Sequence, residues 1–199
     1  MSPARFDVTD QELAWRKTTG IDRWDEVWDG VWYMTPAPTF EHQRIIDAMI
    51  AFLMPLLKAQ GRGLIVSGIN VLQHAAGWTN YRIPDLTFVT TGREHILHED
   101  GVRAAGPDAV IEIRSPGDDT YEKLPFYATI GTCEVVIIDR DTKRPEIYRA
   151  VAGELFLHQL GTDGWLLSER MNVRFRRMET SPSRLRIEDA FDQDVSVEI

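Results

Sequence analysis

The architecture turns on Ala109-Val110-Ile111-Glu112-Ile113-Arg114-Ser115-Pro116. A β-branched, largely apolar run that stops at Ser-Pro reads as a strand. Glu112 is the one carboxylate inside its apolar part, and burying an ionised group is costly unless something pairs with it. Upstream, Tyr81-Arg82-Ile83-Pro84-Asp85-Leu86-Thr87-Phe88-Val89 reads as a second short strand with Asp85 at its mouth. Two strands that each present a carboxylate can hold a hard divalent cation between them.

The elements on either side follow from composition and spacing. After Pro116, Asp119 or Thr120 is expected to cap a helix through Thr129, with Glu122 completing a capping box on Asp119. Pro125 loosens its first turn. Lys123 and Tyr127 are four apart and share a face of that helix. Residues 133–139 are almost continuously apolar, as in a central strand covered on both sides. A turn at Asp141-Thr142-Lys143-Arg144 leads into meander strands over residues 144–149 and 154–160. Upstream, residues 64–67 and 69–72 are strand-like, and Gly77-Trp78-Thr79-Asn80 reads as a turn. Residues 91–106 read as a polar, solvated connection. Its His95 and His98 have no third ligand of matching type nearby, which argues against zinc.

Nearer the start, Thr9 and Glu12 form a capping-box pattern for a short helix anchored by Trp15. Asp29-Gly30 between aromatic and β-branched residues predicts a hairpin over residues 24–34. Glu26 lies just before that turn and, taken alone, reads as a solvated strand residue. Thr35-Pro36-Ala37-Pro38 is a rigid break. A helix follows over residues 40–60, with an apolar face of Ile45, Ile46, Met49, Ile50, Leu53, Met54, Leu56 and Leu57. Pro55 is expected to kink it or end its first half, and Gly61-Arg62-Gly63 closes it. His42, in its first turn, is a candidate to approach a metal or a phosphate, although a lone histidine there is more often structural. Residues 165–199 mix strand-like segments with Arg174, Arg176 and Arg177, which are candidates to contact phosphate but read more readily as solvated strand charge.

A chain of 199 residues fits one domain over residues 1–199, with a core over roughly 24–160. Hydrophobic content of 43% and charged content of 27% are those of a globular protein. Cys133 is the lone cysteine, so no internal disulfide or cysteine zinc cluster forms, and a reducing, cytoplasmic setting is expected. Residues 1–7 lack a signal-peptide core, and no apolar run is long enough to span a bilayer. The net charge of −9 argues against an extended nucleic-acid surface but leaves room for a local basic cleft.

Asp85 and Glu112 would supply two charges to Mg²⁺ or Mn²⁺, and the Ile113 carbonyl is a candidate further oxygen. Such a cation lowers the pKa of a bound water and neutralises a phosphodiester, and Lys123 nearby can orient water and offset developing charge. Spacing alone is equally compatible with ordinary ion pairs. Three segments sharpen it: residues 83–89, residues 107–116, and Lys123-Leu124-Pro125-Phe126-Tyr127-Ala128-Thr129-Ile130-Gly131. Together with the Asp29-Gly30 turn, His42 near a helix start and the 134–139 strand, they resemble the Uma-two family over roughly residues 24–150. Its members commonly carry the description "putative restriction endonuclease", within the PD-(D/E)XK nuclease superfamily.

The resemblance implies an α/β (α+β) restriction-endonuclease-like core, a curved mixed sheet flanked by helices with the site at one end. It implies that Asp85 is the first acid and Glu112 the second. The superfamily's usual lysine lies two residues after the second acid, where this chain has Arg114, and arginine is not its equivalent. Lys123 on the following helix matches the lysine in this branch. Glu26 and His42 match positions bordering the site. The expected function is a Mg²⁺-dependent endonuclease acting on DNA. The alternatives are a catalytically inactive nuclease-fold protein that binds nucleic acid or a protein partner, and an enzyme on a smaller phosphorylated substrate. Retention of Asp85, Glu112 and Lys123 together favours catalysis. A homodimer is expected, because double-strand cleavage needs two sites and two-fold symmetry is the commonest oligomer form.

Overall fold

The computed structural model describes residues 4–5, 9–73 and 77–199. Apart from Ala4–Arg5 (β1), the polar lead before residue 9 lies outside them. Helix α1 (Asp10–Thr19) opens with the expected capping box: the Thr9 hydroxyl accepts from the Glu12 N–H, and the Glu12 carboxylate accepts from the Thr9 N–H. Trp15 does not anchor it, since no α1 residue is buried and Trp15 is 57% exposed. β2 (Glu26–Trp28) and β3 (Val31–Met34) form the hairpin. Asp29 and Gly30 sit at φ 50° and 84°, the left-handed pair that a two-residue turn needs.

Helix α2 (Phe40–Ala59) runs unbroken through Pro55. Pro55 and Ala51, whose carbonyl the proline leaves unpaired, both lie on the exposed face, so water can replace the lost bond. β4 (Gly63–Ser67), β5 (Val71–Gln73), β6 (Gly77–Arg82) and β7 (Leu86–Thr90) follow. Residues 77–80 are strand rather than turn, because β6 pairs with both β2 and β5, and that pairing overrides a turn-like composition. The strand expected over residues 81–89 is broken at Ile83-Pro84-Asp85. Pro84 has no N–H for a ladder, and the break frees Asp85 from regular pairing. The connection after Thr90 is partly built in: β8 (Leu97–His98) and β9 (Gly101–Val102) join the sheet, with Ile96 and Val102 fully buried.

β10 (Ala109–Arg114) leads to a 3₁₀ turn over Thr120–Lys123 and helix α3 (Leu124–Thr129). Asp119 provides no side-chain cap there. Asp118 takes that place, accepting from the Ser115 N–H at 2.5 Å, the Thr120 N–H at 3.1 Å and the Thr120 hydroxyl at 2.7 Å. β11 (Glu134–Asp139), β12 (Pro145–Val151) and β13 (Glu154–Leu157) come next. The tail folds as β14 (Leu166–Ser168), β15 (Val173–Met178), β16 (Arg184–Asp189) and β17 (Ser196–Glu198), an antiparallel sheet of four.

The central sheet has the order β13-β12-β11-β10-β7-β4 and is mixed: β10 and β11 are parallel, the other pairs antiparallel. Side-chain alternation along β10 sorts its two faces. Ala109, Ile111 and Ile113 join Phe88, Val136 and Ile138 under α2 and the tail sheet. Val110 joins Val135 and Ile137 under Phe126 and Tyr127 of α3. Glu112 has the parity of Val110, so it points to the α3 side. The β7–β10 register pairs Ala109 with Phe88, Val110 with Thr87 and Ile111 with Leu86. One step further would set Glu112 opposite Asp85.

Candidate active site

The ladder stops just short of that pair, and the polar chemistry of the fold collects there. Asp85 turns its side chain onto the neighbouring backbone, and its Oδ2 accepts the Ile113 N–H at 2.6 Å. His42 Nε2, from the first turn of α2, lies 3.5 Å from the same oxygen. Glu112 is held from α3: the Tyr127 hydroxyl donates to Oε1 at 2.5 Å, and Lys123 Nζ lies 3.3 Å away. Lys123 also donates to Glu26 Oε1 at 2.9 Å. Glu26 is 4% exposed, so it is not the solvated residue its position suggested. Its Oε1 also accepts the Ile83 N–H at 2.8 Å, and its Oε2 accepts Trp28 Nε1–H at 2.7 Å. Its carboxylate is buried against Lys123, Trp28 and the Ile83 backbone, whose donors satisfy it.

All five sequence candidates, Glu26, His42, Asp85, Glu112 and Lys123, therefore line one cavity of about 470 Å³. Arg114 does not. It pairs with Asp139 at 2.8 Å and lies 5.2 Å over the Tyr121 ring. The ammonium in the cleft comes from Lys123 on the next element. His95 and His98 are exposed and take no part in the cavity, and Arg174, Arg176 and Arg177 lie on β15, outside it.

Burial sets the protonation states. It pushes the Asp85 carboxyl up to about 7, against the pull of the Ile113 N–H and Lys123, with the charge of Glu26 adding to the rise. It pushes Glu112 up to about 7 as well, again against Lys123, with Asp85 and Glu26 adding to the rise. For Lys123, burial disfavours the charged form, but Glu112, Glu26 and Asp85 outweigh it and raise the pKa. Lys123 is therefore a fixed ammonium and not a general base. Burial lowers the pKa of His42, against the Ile113 backbone and Glu112, which leaves a neutral imidazole at pH 7. Tyr127 is shifted well upward by burial and by Glu112, so its hydroxyl stays a donor.

Three carboxylates thus face one ammonium. Asp85 accepts on Oδ2 and Glu112 accepts one donor on each oxygen, which leaves lone pairs for another partner, whereas Glu26 takes three donors. Among the described residues no group of three His, Cys, Asp or Glu side chains is arranged as a complete metal cage. Sequence reasoning missed two residues that shape the site. Tyr127 carries a legible signal, its i,i+4 spacing from Lys123. Asp118 carries a weaker one, since Asp two residues before a helical turn is a common Asx-turn former.

Comparison with known proteins bears on this arrangement. The family model described as "Uma2: Putative restriction endonuclease" matches residues 13–177. The chain belongs to the Uma2 family. No curated protein matches it. Among solved structures, the Uma2 chain is similar to a crystal structure from Anabaena variabilis described as "a putative nuclease belonging to DUF820". The two share 19% identity with a TM-score of 0.58, over 74% of this chain and 82% of that one. At that identity the likeness speaks for fold, and the fold is restriction-endonuclease-like: a mixed α/β core with curved sheets and few helices. The Uma2 match spans every cavity residue, from Trp24 to Arg140.

Proposed function

We propose that this Uma2 protein is a metal-dependent endonuclease that hydrolyses DNA phosphodiester bonds. One observation carries the reading. Asp85 and Glu112, next to each other across adjacent strands, are left with more negative charge than the single ammonium of Lys123 balances, and both are pushed up to about 7. Hard oxygen donors in pairs, with the remaining positions left to water, are what Mg²⁺ and Mn²⁺ take. Asp85 and Glu112 are the ligands in this proposal. When bound, the cation supplies positive charge that offsets the phosphodiester and favours in-line attack by water.

The chain's own groups do the rest. Glu26, clamped by Trp28 and Ile83, holds the Lys123 ammonium beside Glu112, where its N–H donors meet charge that develops on phosphate oxygens. Tyr127 fixes the rotamer of Glu112, and the Ile113 N–H fixes that of Asp85. His42 packs its neutral ring against Asp85 and closes that side of the cleft. A second copy would supply the second cut in a duplex, and exposed Val151 and Phe156 on the β12–β13 hairpin give an edge for it. Cys133 is a free thiol, which agrees with a cytoplasmic setting. No helix among the described residues is long and apolar enough to cross a membrane.

The net charge of −9 favours a second reading, a non-catalytic binder of nucleic acid or protein. Supercoiled plasmid separates the two. The nuclease nicks it with Mg²⁺, stops in chelator, and loses at least about 100-fold in rate as Glu112→Gln. A wild type that leaves plasmid intact with either cation supports the binder.

A further inference from the structure

A second groove, of about 630 Å³, opens between the β12–β13 hairpin and the β14–β15 pair, apart from the catalytic cleft. Arg144, Arg176 and Arg177 face it, with Glu146, His158 and Glu179. Several arginines elsewhere in the chain are matched by a carboxylate: Arg62 by Asp189, Arg93 by Asp108, Arg114 by Asp139 and Arg174 by Glu188. Two of the three in the groove are not. Among the described residues no ion pair is made by Arg144, which is exposed, or by Arg176, whose guanidinium lies 4.5 Å over the Trp165 ring. Arg177 meets only Glu179, at 3.8 Å, and the Glu179 side chain is 85% exposed. Of the other groups, Glu146 takes the Tyr121 and Tyr148 hydroxyls, and His158 Nδ1 lies 3.3 Å from the Arg149 guanidinium. In a chain of net charge −9, this groove brings three arginines together with little carboxylate to offset them.

Topology sets it beside the cleft. β10 and β11 run parallel, so Glu112 and Asp139 lie toward the same end of the sheet. β12 starts there, with Pro145 opposite Ile138. Arg144 therefore emerges at the catalytic end, and Arg140, at the other side of the same turn, lines the cleft itself. We infer that this groove seats the sugar–phosphate backbone of the nucleic acid whose scissile bond lies at Asp85 and Glu112. The inference rests on the nuclease reading. Guanidinium groups bind phosphate oxygens in a fork, and such contacts hold the strand without reading its sequence.

Anisotropy of a labelled DNA duplex, titrated across a range of salt in Ca²⁺ to hold back cleavage, tests it with the full chain. Arg144→Glu with Arg177→Glu is the main variant, because both side chains are exposed and their loss leaves the fold intact. The expected result is at least a tenfold loss of affinity at low salt. The slope of log affinity against log salt falls by about 2, one phosphate per arginine. Arg144→Lys with Arg177→Lys recovers most of the slope, and Mg²⁺ calorimetry is the same for all three proteins. A Glu variant that binds with wild-type affinity and slope, from a wild type that nicks plasmid, overturns the groove and leaves the nuclease reading standing. A wild type that neither binds DNA nor nicks it overturns both.

Discussion

Lys123 is held as an ammonium by Glu26 and Glu112 at the wall of the cavity, and its removal carries two separate penalties. Lys123→Ala leaves two buried carboxylates without their counter-charge, which costs about 3 kcal/mol in urea melts, and it abolishes nicking. Lys123→Arg does not restore activity, because a planar fork cannot stand in for a compact ammonium at this spacing. Asp85 and Glu112 tie stability to pH in the opposite sense from most carboxyls. Their folded-state pKa values, near 7, lie above the usual 3.8 and 4.5. The stabilisation that they give the metal-free protein is complete below those ordinary values and is lost as pH rises through about 7. A divalent cation replaces it only where the pair is ionised. The rise in melting temperature on adding Mg²⁺ is therefore larger near pH 8 than near pH 6, and an equal or reversed rise in differential scanning fluorimetry contradicts this. Glu112 was legible in the sequence because a carboxylate in an apolar strand is anomalous. Glu26 was legible only through the resemblance, and its burial not at all, because the lysine that justifies it is 97 residues away.

At the scale of elements, β10 and α3 work as a pair. α3 is only six residues long, yet it and the turn before it bring Lys123 and Tyr127 onto Glu112 from one face. Tyr127→Phe keeps the ring in the core and removes the donor. A cost of about 1–2 kcal/mol in stability follows, with roughly tenfold weaker Mg²⁺ binding, since groups that orient a metal ligand matter nearly as much as the ligand. Calorimetry on the variant checks this, and unchanged affinity would mean that Glu112 is oriented by Lys123 alone. Local pattern foretold the elements whose signals are local: the Asp29-Gly30 hairpin, the α2 stripe and the central β11. It failed where pairing partners rule. Residues 77–80 look like a turn and are strand because β2 and β5 flank them. Pro55 looks like a break, yet α2 continues because its buried face, Met49, Leu53 and Leu57, holds the helix on the sheet.

In the whole molecule the tail sheet is part of the central core, for Val173, Phe175, Leu185 and Ile187 share one apolar cluster with α2 and β10. A buried ion pair locks it there: Arg62, just after α2, reaches Asp189 at the end of β16 at 2.7 Å, with 8% and 0% side-chain exposure. Asp189→Ala strands the guanidinium and costs about 3–5 kcal/mol, read as an earlier midpoint in urea, whereas Arg177→Ala on the surface shifts the midpoint little. No sequence pattern announced this contact, because its partners lie 127 residues apart. The residues alone offered Asp85, Glu112 and Lys123 as one reading beside ordinary ion pairs, and the resemblance to the Uma-two family is what joined them into a candidate site. The central claim is that Asp85 and Glu112 hold a catalytic divalent cation. Isothermal calorimetry with Mg²⁺ and Mn²⁺, on the wild type and on Asp85→Ala with Glu112→Ala, tests it most directly, with plasmid nicking on the same samples. The account predicts one saturable site and nicking in the wild type, both absent from the variant. A wild type that binds neither cation, even with DNA present, would contradict it.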